Sequence, residues 1–258
     1  MLSGIWQLSY GKHKVKITNG IADVTQNVVA EVSKDGLVGY WSFDEGTGST
    51  AYDGSGKGNT GTLKNLTAAT CFINNACPYW TSGKISGALG FDGIGDYVEV
   101  PSSAVGTTNQ MTISLWVNPG IQLLGAYSDS KDIIRSQCYG GGLWSISTAP
   151  GFNTNNQLMM QIGWIPGADS WWSPANAVAV KNQWNHLVLS LNRDTGKADF
   201  YSNGQFIAET TQTVGIKPIT TGFHIGSDCA GPFNGIIDDV KIYNKALTPD
   251  DTINLRPA

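Results

Sequence analysis

Aromatic and amide side chains are concentrated in the middle of the chain, among residues that favour turns. The rings of tyrosine and tryptophan stack on the apolar face of a sugar, and nearby amides or carboxylates bind its hydroxyl groups. The candidate ligand-binding residues are Tyr139, Trp164, Asp169, Trp171 and Trp172. Because tryptophan is highly buried on average, the alternative is that these rings pack inside the protein or plug its loops.

A glycine-rich loop, YDGSGKGN at residues 52–59, is the candidate metal site. Calcium takes roughly six to eight oxygen ligands. The loop offers backbone carbonyls, whose convergence the glycines permit, together with the side chains of Asp53 and Asn59. The alternative is that Asp53 forms an Asx-type turn and holds no metal.

The sequence patterns of catalysis are missing from the chain. A retaining glycosidase needs two carboxyl groups about 5 Å apart, which strand residues at i and i+4 can supply in an E-x-D-x-x-E pattern. The segment that comes nearest is DYVE at residues 96–99, and it has Ile94 where the first glutamate would stand. The motifs G-x-S-x-G and H-E-x-x-H are also absent, and the strand that carries His186 reads as structural. We therefore expect a chain that is not an enzyme.

The four cysteines of the chain are Cys71, Cys77, Cys138 and Cys229. They allow three pairings, of which we favour a local Cys71–Cys77 bridge and a long-range Cys138–Cys229 bridge. Free buried thiols are the alternative, and no C-x-x-C motif or cysteine–histidine cluster points to zinc. Disulfides persist in oxidising compartments, so we expect the protein outside the cell or at its surface. The N-terminal residues lack the apolar core of a secretory signal, so either the protein stays inside the cell or a leader or preceding segment has been removed, and the cysteines favour the second.

The composition excludes several classes of partner. Only 14% of the 258 residues are charged and the net charge is −4, which leaves no basic surface for nucleic acid or an anionic bilayer. No stretch approaches the roughly 18 consecutive apolar residues of a transmembrane helix, so we expect no membrane insertion. The 32 glycines and 10 prolines argue against a helical bundle.

Short alternating or β-branched segments, separated by turn residues, recur along the chain and predict strands. They lie at residues 37–43, 96–101, 111–119, 143–148, 157–165, 184–192, 197–210, 222–227 and 235–247. Asn203-Gly204 between two alternating runs predicts a tight hairpin. A single short helix is predicted near residues 248–254, where Thr248 can cap it. The pattern predicts an all-β fold: a two-sheet antiparallel β-sandwich of the jelly-roll type, with at most one short C-terminal helix.

Three groups of segments occur in a fixed order along the chain. They are GLVGYWSFDEGTGSTAYDGSGKGNTGTL (36–63), then GKISGALGFDGIGDYVEVP (83–101) leading into MTISLWVNP (111–119), and finally NQWNHLVLSLN (182–192) through YSNGQFIAE (201–209) to FNGIIDDVKIYNKALTPDD (233–251). In order and spacing they resemble a laminin-G-like jelly-roll domain of the concanavalin A-like lectin/glucanase superfamily. The resemblance implies a jelly-roll domain at residues 37–258, preceded at residues 1–36 by an extension of extra strands or an assembly or linker element.

The resemblance also implies a structural calcium ion beside the glycine-rich loop, with an acidic residue of the closing strand as a further ligand. That residue would be Asp238 or Asp239. Alternation along the strand puts Asp238 on the face of Val240 and Ile242, so we expect Asp238 to be the ligand. The same alternation leads us to expect Ile236 in the core, and the closing strand is expected to pair near the first strand.

These observations predict a non-catalytic recognition or adhesion module that works outside the cell. Its partner would be a glycan or a surface protein, bound through the loop-rich aromatic face, with calcium stabilising the scaffold. The alternative is a structural subunit of a surface filament, such as a pilus-like fibre, or of an envelope assembly. In that case residues 1–36 would mediate self-assembly, for instance by donating a strand to a neighbour.

Overall fold

Antiparallel strands dominate the part of the chain that the structure describes. The computed structural model describes residues 11–18, 23–30, 35–65, 77–101, 103, 109–120, 131–136, 143–148, 159–164, 179–211, 222–226, 233–253 and 255. The elements there are β1 (Gly11–Thr18), β2 (Asp23–Ala30), β3 (Leu37–Trp41), β4 (Thr50–Ala51), β5 (Gly61–Asn65), β6 (Tyr79–Ser82), β7 (Gly87–Asp92), β8 (Asp96–Val100), β9 (Gln110–Pro119), β10 (Lys131–Ser136), β11 (Leu143–Thr148), β12 (Met159–Trp164), β13 (Asn185–Asn192), β14 (Lys197–Ser202), β15 (Gln205–Thr211), β16 (Phe223–Ile225), β17 (Asn234–Tyr243) and α1 (Pro249–Ile253). No helix within these ranges is long and apolar enough to cross a membrane.

The strands form two large sheets. The larger sheet has the order β15-β14-β13-β9-β17-β7-β6, and β3 also pairs with β17. The smaller sheet has the order β12-β11-β10-β16-β8-β5-β4. Among the described strands, β1 and β2 pair only with each other. The arrangement confirms the predicted all-β fold with two antiparallel sheets, and it confirms that the closing strand pairs beside the first strand of the sandwich.

The hydrophobic core lies between the two sheets. Trp41 of β3 meets Phe223 of β16 edge to face, with their ring centroids 5.5 Å apart, so one aromatic contact joins the sheets. The indole N–H of Trp41 donates a hydrogen bond to the carbonyl oxygen of Asn59 at 3.0 Å, which satisfies its buried polar atom. Further core residues are Leu89, Phe91, Val98, Val100, Ile113, Leu115, Val117, Leu187, Leu189, Ile225, Ile237, Val240 and Ile242.

A β-bulge in β17 shifts the alternation of the closing strand. The register against β9 jumps between Asp238 and Lys241, and the backbone of Asp239 has a positive φ of 52°. Ile237 and Val240 both belong to the core, so two residues rather than one separate them. A bulge of this kind inserts one extra residue and reverses the faces beyond it. The expectations that Asp238 shares the face of Val240, and that Ile236 faces the core, are therefore wrong.

Two local sequence signals are confirmed. Asn203 and Gly204 join β14 to β15 with φ angles of 52° and 78°, the left-handed values that a two-residue hairpin turn requires. Helix α1 begins just after Thr248, whose backbone N–H donates to the carboxylate of Asp251 at 3.0 Å, while the Asp251 N–H donates to the Thr248 hydroxyl oxygen at 3.3 Å. This reciprocal pair satisfies donors at the start of the helix, as in a capping box.

The C-terminal segment covers part of the outer face of the larger sheet. A second hydrophobic cluster, separate from the core between the sheets, is formed there by Leu37, Val188, Tyr201, Tyr243, Leu247 and Leu255. Side chains of successive strand residues point to opposite faces, so this cluster and the core use alternate positions of the same strands. The outer face of the larger sheet therefore carries hydrophobic contacts of its own, in addition to those of the core.

Candidate functional site

A cleft lies on the outer face of the larger sheet, where four strands present one row of residues. The row consists of Tyr79 on β6, Gly90 on β7, Ile236 on β17 and Asn118 on β9, each the direct register partner of the next. Their sequence neighbours, such as Leu89 and Ile237, belong to the core. Because strand residues alternate between faces, the row lies on the outer side of the sheet.

The cleft encloses a volume of about 450 Å³. This value is towards the small end of the roughly 300–1,000 Å³ typical of small-molecule sites. Tyr79 and Ile236 supply apolar surface, and the polar side chains that line the cleft are Asp92, Asn118, Asn182 and Asn234. An apolar wall with a few amides and one carboxylate is suited to a ligand that is itself part apolar and rich in hydroxyl groups.

Tyr79 is an exposed aromatic side chain at the rim of the cleft. It lies on β6, the edge strand of the sheet, and 47% of its surface is accessible to solvent. A Cβ atom placed on Gly90 would lie 2.3 Å from Cζ and 2.7 Å from the hydroxyl oxygen of Tyr79. The missing side chain at Gly90 is thus what lets the end of the ring lie directly on the sheet, with surface still open to a ligand.

The amide side chain of Asn234 and the backbone of Asn182 are held by hydrogen bonds to the main chain. The side-chain nitrogen of Asn234 donates to the carbonyl oxygen of Asp92 at 2.8 Å, and the Gly120 N–H donates to the carbonyl oxygen of Asn234 at 3.1 Å. A Cβ on Gly120 would lie 2.6 Å from Oδ1 of Asn234, so this glycine leaves room for the amide. Asn182 has a φ of 57° and donates its N–H to the carbonyl oxygen of Pro119 at 2.8 Å. A ligand would therefore meet an Asn234 amide that is already fixed in place.

The carboxylate of the cleft belongs to the turn between β7 and β8. Oδ1 of Asp92 accepts the N–H of Ile94 at 2.7 Å, and the Asp92 N–H donates to Asp96 at 3.1 Å. Asp96 is fully buried and accepts a hydrogen bond from the amide of Asn65 at 2.9 Å. Burial raises the pKa of Asp96 to about 6, and the nearby charge of Asp92 acts in the same direction. Two acidic side chains thus lie at this end of the sheet.

The carboxyl groups of the DYVE segment are engaged separately. Asp96 points into the protein, while Glu99 forms an ion pair at 2.5 Å with Lys64 on the neighbouring strand β5. Residues three apart in a strand point to opposite faces, so these two carboxyl groups do not form a facing pair. The arrangement of a glycosidase is not built from them.

Asp53 of the glycine-rich loop is occupied by four hydrogen bonds. One carboxylate oxygen accepts the N–H groups of Tyr40 at 3.0 Å and Ser55 at 2.8 Å. The other accepts the hydroxyl of Ser55 and the N–H of Asn59, both at 2.8 Å. Burial alone would raise the pKa of Asp53, but the Ser55 hydroxyl and the backbone donors outweigh it and hold the pKa below its usual value. This geometry is an Asx-type turn that ties the loop to β3.

Asn59, the second predicted loop ligand, is also engaged within the protein. Its side-chain nitrogen donates to the carbonyl oxygen of Val38 at 2.7 Å, and its side-chain oxygen accepts the hydroxyl of Ser103 at 2.7 Å. A cation at this loop would have to displace hydrogen bonds from both Asp53 and Asn59. The side-chain oxygen atoms of the loop are therefore poorly suited to bind a calcium ion.

Asp238 has the opposite character. It is fully buried, and Oδ2 accepts the N–H of Ile85 at 2.9 Å, while Oδ1 has no hydrogen-bond partner within the described residues. Burial raises the pKa of Asp238 to about 7, with the charges of Asp239 and Asp44 adding to the effect. Asp44 holds the same turn by accepting the N–H of Gly87 at 2.7 Å. Oδ1 of Asp238 is therefore open to a further partner, whereas both carboxylate oxygens of Asp53 are already engaged.

The predicted metal ligands are not shown in one cluster. Asp53 contacts residues 40, 55 and 59, and Asp238 contacts the turn at residues 84 and 85, so the two share no partner. Within the described ranges, no three His, Cys, Asp or Glu side chains are grouped so as to hold a metal ion. The calcium hypothesis stays a prediction.

Several predicted residues lie outside the described part of the chain. These are Tyr139, Asp169, Trp171, Trp172, Cys71, Cys138 and Cys229. Trp164 is described as the last residue of β12, but its side chain is not. Cys77 is disulfide-bonded and buried. The predicted pairings and the aromatic ligand face remain predictions.

The residues of the cleft were not identified from the sequence. Asn118 and Asn234 lie at the ends of predicted strands, a position typical of binding residues, but the row to Tyr79 depends on which strands are neighbours. Spacing along the chain does not reveal this row of residues, because Tyr79 and Ile236 are 157 positions apart in sequence. They enter the same row because each pairs with Gly90 of β7.

Comparisons with known proteins extend these findings. A search of curated proteins finds no match. Among solved structures, domain 4 of AbnA, a GH43 extracellular arabinanase from Geobacillus stearothermophilus in complex with arabinotriose, is 24% identical with a TM-score of 0.62, covering 85% of this chain and 97% of that one. The binding domain of Paraclostridial Mosquitocidal Protein 1 is 16% identical with a TM-score of 0.61, covering 86% of this chain and 52% of that one. Trypanosoma rangeli sialidase is 17% identical with a TM-score of 0.60, covering 87% of this chain and 33% of that one.

At these identities the similarity establishes a shared fold. The family assignment comes from the sequence itself, because a sequence model of the concanavalin A-like lectin/glucanases superfamily matches residues 92–252, more than half of the chain. The chain therefore belongs to the concanavalin A-like lectin/glucanases superfamily.

Proposed function

We propose that this chain is a non-catalytic recognition module that binds glycan outside the cell. The observation that carries the proposal is the outer-face cleft, which exposed Tyr79 lines together with the amide side chains of Asn118, Asn182 and Asn234. An aromatic ring can stack on the apolar face of a sugar while amides bind its hydroxyl groups. The cleft volume of about 450 Å³ suits a short segment of a glycan.

The non-catalytic part of the proposal is supported by the engagement of the two carboxyl groups of the DYVE segment. Retaining and inverting glycosidases need two carboxyl groups that face each other across the scissile bond. Asp96 is buried and Glu99 forms an ion pair with Lys64, and the two side chains lie on opposite faces of β8. Domain 4 of the arabinanase was solved with arabinotriose bound, and the toxin domain is named a binding domain. These names are compatible with a binding role for the fold.

The test compares two exposed tyrosines. Tyr79→Ala removes the ring at the cleft, and Tyr52→Ala removes an even more exposed ring, 64% accessible, on the glycine-rich loop. A glycan array identifies binders of the wild type, and titration calorimetry measures their Kd. We expect Tyr79→Ala to raise the Kd about five- to tenfold, equivalent to about 1 kcal/mol of stacking. Tyr52→Ala should leave it unchanged.

Two outcomes would contradict this assignment. The absence of saturable binding to any glycan would overturn the function itself. Binding that persists in Tyr79→Ala but is lost in Trp171→Ala and Trp172→Ala would move the site to the predicted aromatic loops. In both cases the folded state of each variant is checked by its circular dichroism spectrum.

A structural calcium ion is proposed at Asp238. The unpartnered, buried Oδ1 of this residue supports it. At a calcium concentration 100-fold above Kd, binding would stabilise the fold by about 2.7 kcal/mol, which corresponds to about 5–10 °C in Tm for a chain of this size. Chelator should lower the Tm of the wild type and of Asp53→Asn by this amount. It should leave the Tm of Asp238→Asn unchanged, because that variant no longer binds the ion. The reverse pattern would return the site to the glycine-rich loop.

A structural role in a surface assembly is the second candidate. It is favoured by the β1–β2 hairpin, which hydrogen-bonds to neither large sheet within the described residues. A two-stranded hairpin is marginally stable alone and gains from packing on another surface. Size-exclusion chromatography of the full chain against a variant lacking residues 1–36 tests this. Polymers that disappear with the truncation would support it, and a monomer in both would refute it.

A further inference from the structure

We propose that the cleft selects neutral sugars and discriminates against sugars that carry a carboxylate or sulfate group. This specificity rests on the proposed glycan-binding function and concerns the same site. It follows from the charge of the polar side chains that line the cleft, which are three amides, a tyrosine and one carboxylate.

Among the described residues that line the cleft, the one charged side chain is the carboxylate of Asp92. Asp92 lines the cleft, and none of the ion pairs formed among the described residues includes it. None of the described lining residues is a lysine, an arginine or a histidine. The buried carboxyl group of Asp96 lies immediately behind Asp92 and accepts its N–H at 3.1 Å. Among the described lining residues, an anionic ligand would therefore meet a carboxylate and no cation.

The contacts of Asp92 hold its side chain in place, so its carboxylate cannot easily turn away from an anionic ligand. Its Oδ1 is fixed by the N–H of Ile94 at 2.7 Å, and its carbonyl oxygen is fixed by the amide of Asn234 at 2.8 Å. The side chain is half-buried in the turn rather than free in solvent. Repulsion between like charges grows as the local dielectric constant falls, so a partly enclosed carboxylate repels an anion more strongly than an exposed one does.

The same carboxylate favours a neutral ligand. A hydroxyl group that donates to a carboxylate forms a charge-assisted hydrogen bond, roughly twice as strong as a bond between neutral groups. Neutral sugars offer several such hydroxyl groups, and the amides of Asn118 and Asn182 can both donate and accept. Asp92 therefore acts in two directions, as an acceptor for hydroxyl groups and as a barrier to anions.

The experiment uses matched pairs of glycans. Each neutral oligosaccharide is printed on an array beside its sialylated, uronic-acid or sulfated counterpart, and the best-bound pair is then measured by titration calorimetry with the full chain. For the wild type we expect the neutral member to bind at least tenfold more tightly. In Asp92→Asn, which keeps the shape but removes the charge, the ratio should fall at least threefold, and it should become less sensitive to salt.

The control is Asp194→Asn. Asp194 follows β13 at the end of that strand away from the cleft, where it accepts a hydrogen bond from Asn109 at 2.6 Å. This variant changes the net charge equally and should leave the ratio at its wild-type value. An equal loss of discrimination in both variants would assign the effect to overall charge and overturn the proposal.

Failure of this inference can be told apart from failure of the proposed function. If anionic glycans bind as well as neutral ones, and Tyr79→Ala still weakens both, the cleft binds glycan and the selectivity is wrong. If no glycan binds the wild type at all, the proposed function and the selectivity fall together. If neutral glycans are preferred and Asp92→Asn lowers the ratio at least threefold, the inference stands; if the ratio in Asp92→Asn stays at its wild-type value, the inference is overturned.

Discussion

Asp238 makes the stability of the metal-free protein depend on pH in a direction opposite to that of most carboxylates. Its pKa of about 7 lies well above the ordinary aspartate value of 3.8, because the side chain is fully buried. A raised pKa in the folded state means that the folded protein holds the proton more tightly than the unfolded chain does. The contribution of protonated Asp238 to the free energy of unfolding is therefore complete below about pH 4 and is lost as the pH rises towards about 7.

The size of the effect follows from the difference between the two pKa values. It amounts to roughly three pH units, and each unit is worth about 1.4 kcal/mol, so the free energy of unfolding should fall by at most about 4 kcal/mol across this range. Asn has nearly the same shape as a protonated Asp, and its oxygen can accept the N–H of Ile85 that Asp238 accepts now. Asp238→Asn should remove the dependence while keeping this contact.

Urea denaturation followed by tryptophan fluorescence measures the free energy of unfolding at each pH. With chelator present between pH 4 and pH 8, the advantage of Asp238→Asn over the wild type should grow by up to about 4 kcal/mol. Asp53→Asn is the matched control, because its pKa is lowered and its contribution should run the other way with pH. Parallel pH profiles for the wild type and Asp238→Asn would refute the reasoning.

Three further predictions concern single side chains. Lys241→Met leaves the carboxylate of Asp239 buried without its cation and should lower the free energy of unfolding by about 3–5 kcal/mol in urea, whereas an exposed pair would change it by less than about 1 kcal/mol. Asn203→Ala, at a φ of 52°, should cost about 1–2 kcal/mol in the same assay, and Asn203→Gly should cost less. Gly90→Ala should displace the ring of Tyr79 and weaken glycan binding as Tyr79→Ala does, with Tm nearly unchanged, because the displaced atoms are the end of a flexible side chain.

The general architecture could be predicted from the sequence because its signals are local. Alternation of apolar and polar residues indicated the strands, the Asn203-Gly204 pair indicated the hairpin, and Thr248 indicated the start of α1. Each of these patterns depends on residues within a few positions of one another. The order of strands in the sheets does not, and neither does the identity of residues that meet across them.

The prediction for the closing strand failed for a specific physical reason. Strict alternation assumes an unbroken ladder, and the bulge at Asp238 and Asp239 breaks it. Asp residues tolerate the left-handed backbone that Asp239 adopts, but two adjacent aspartates in a strand do not by themselves indicate a bulge. The contacts of Asp53 are those of an Asx-type turn, which the sequence also allowed, and the metal site at this loop stays a prediction.

One irregularity of β17 positions both candidate sites. Had alternation continued unbroken from Val240, both Asp238 and Ile236 would point between the sheets, where a carboxylate would be destabilising. The extra residue at Asp239 instead turns Asp238 towards the 84–87 turn and Ile236 towards the row that ends at Tyr79. The positions of Ile236 in the cleft and of the buried Asp238 therefore both depend on the bulge. Changes at the bulge should disturb both together, whereas changes at Tyr79 should affect the cleft alone.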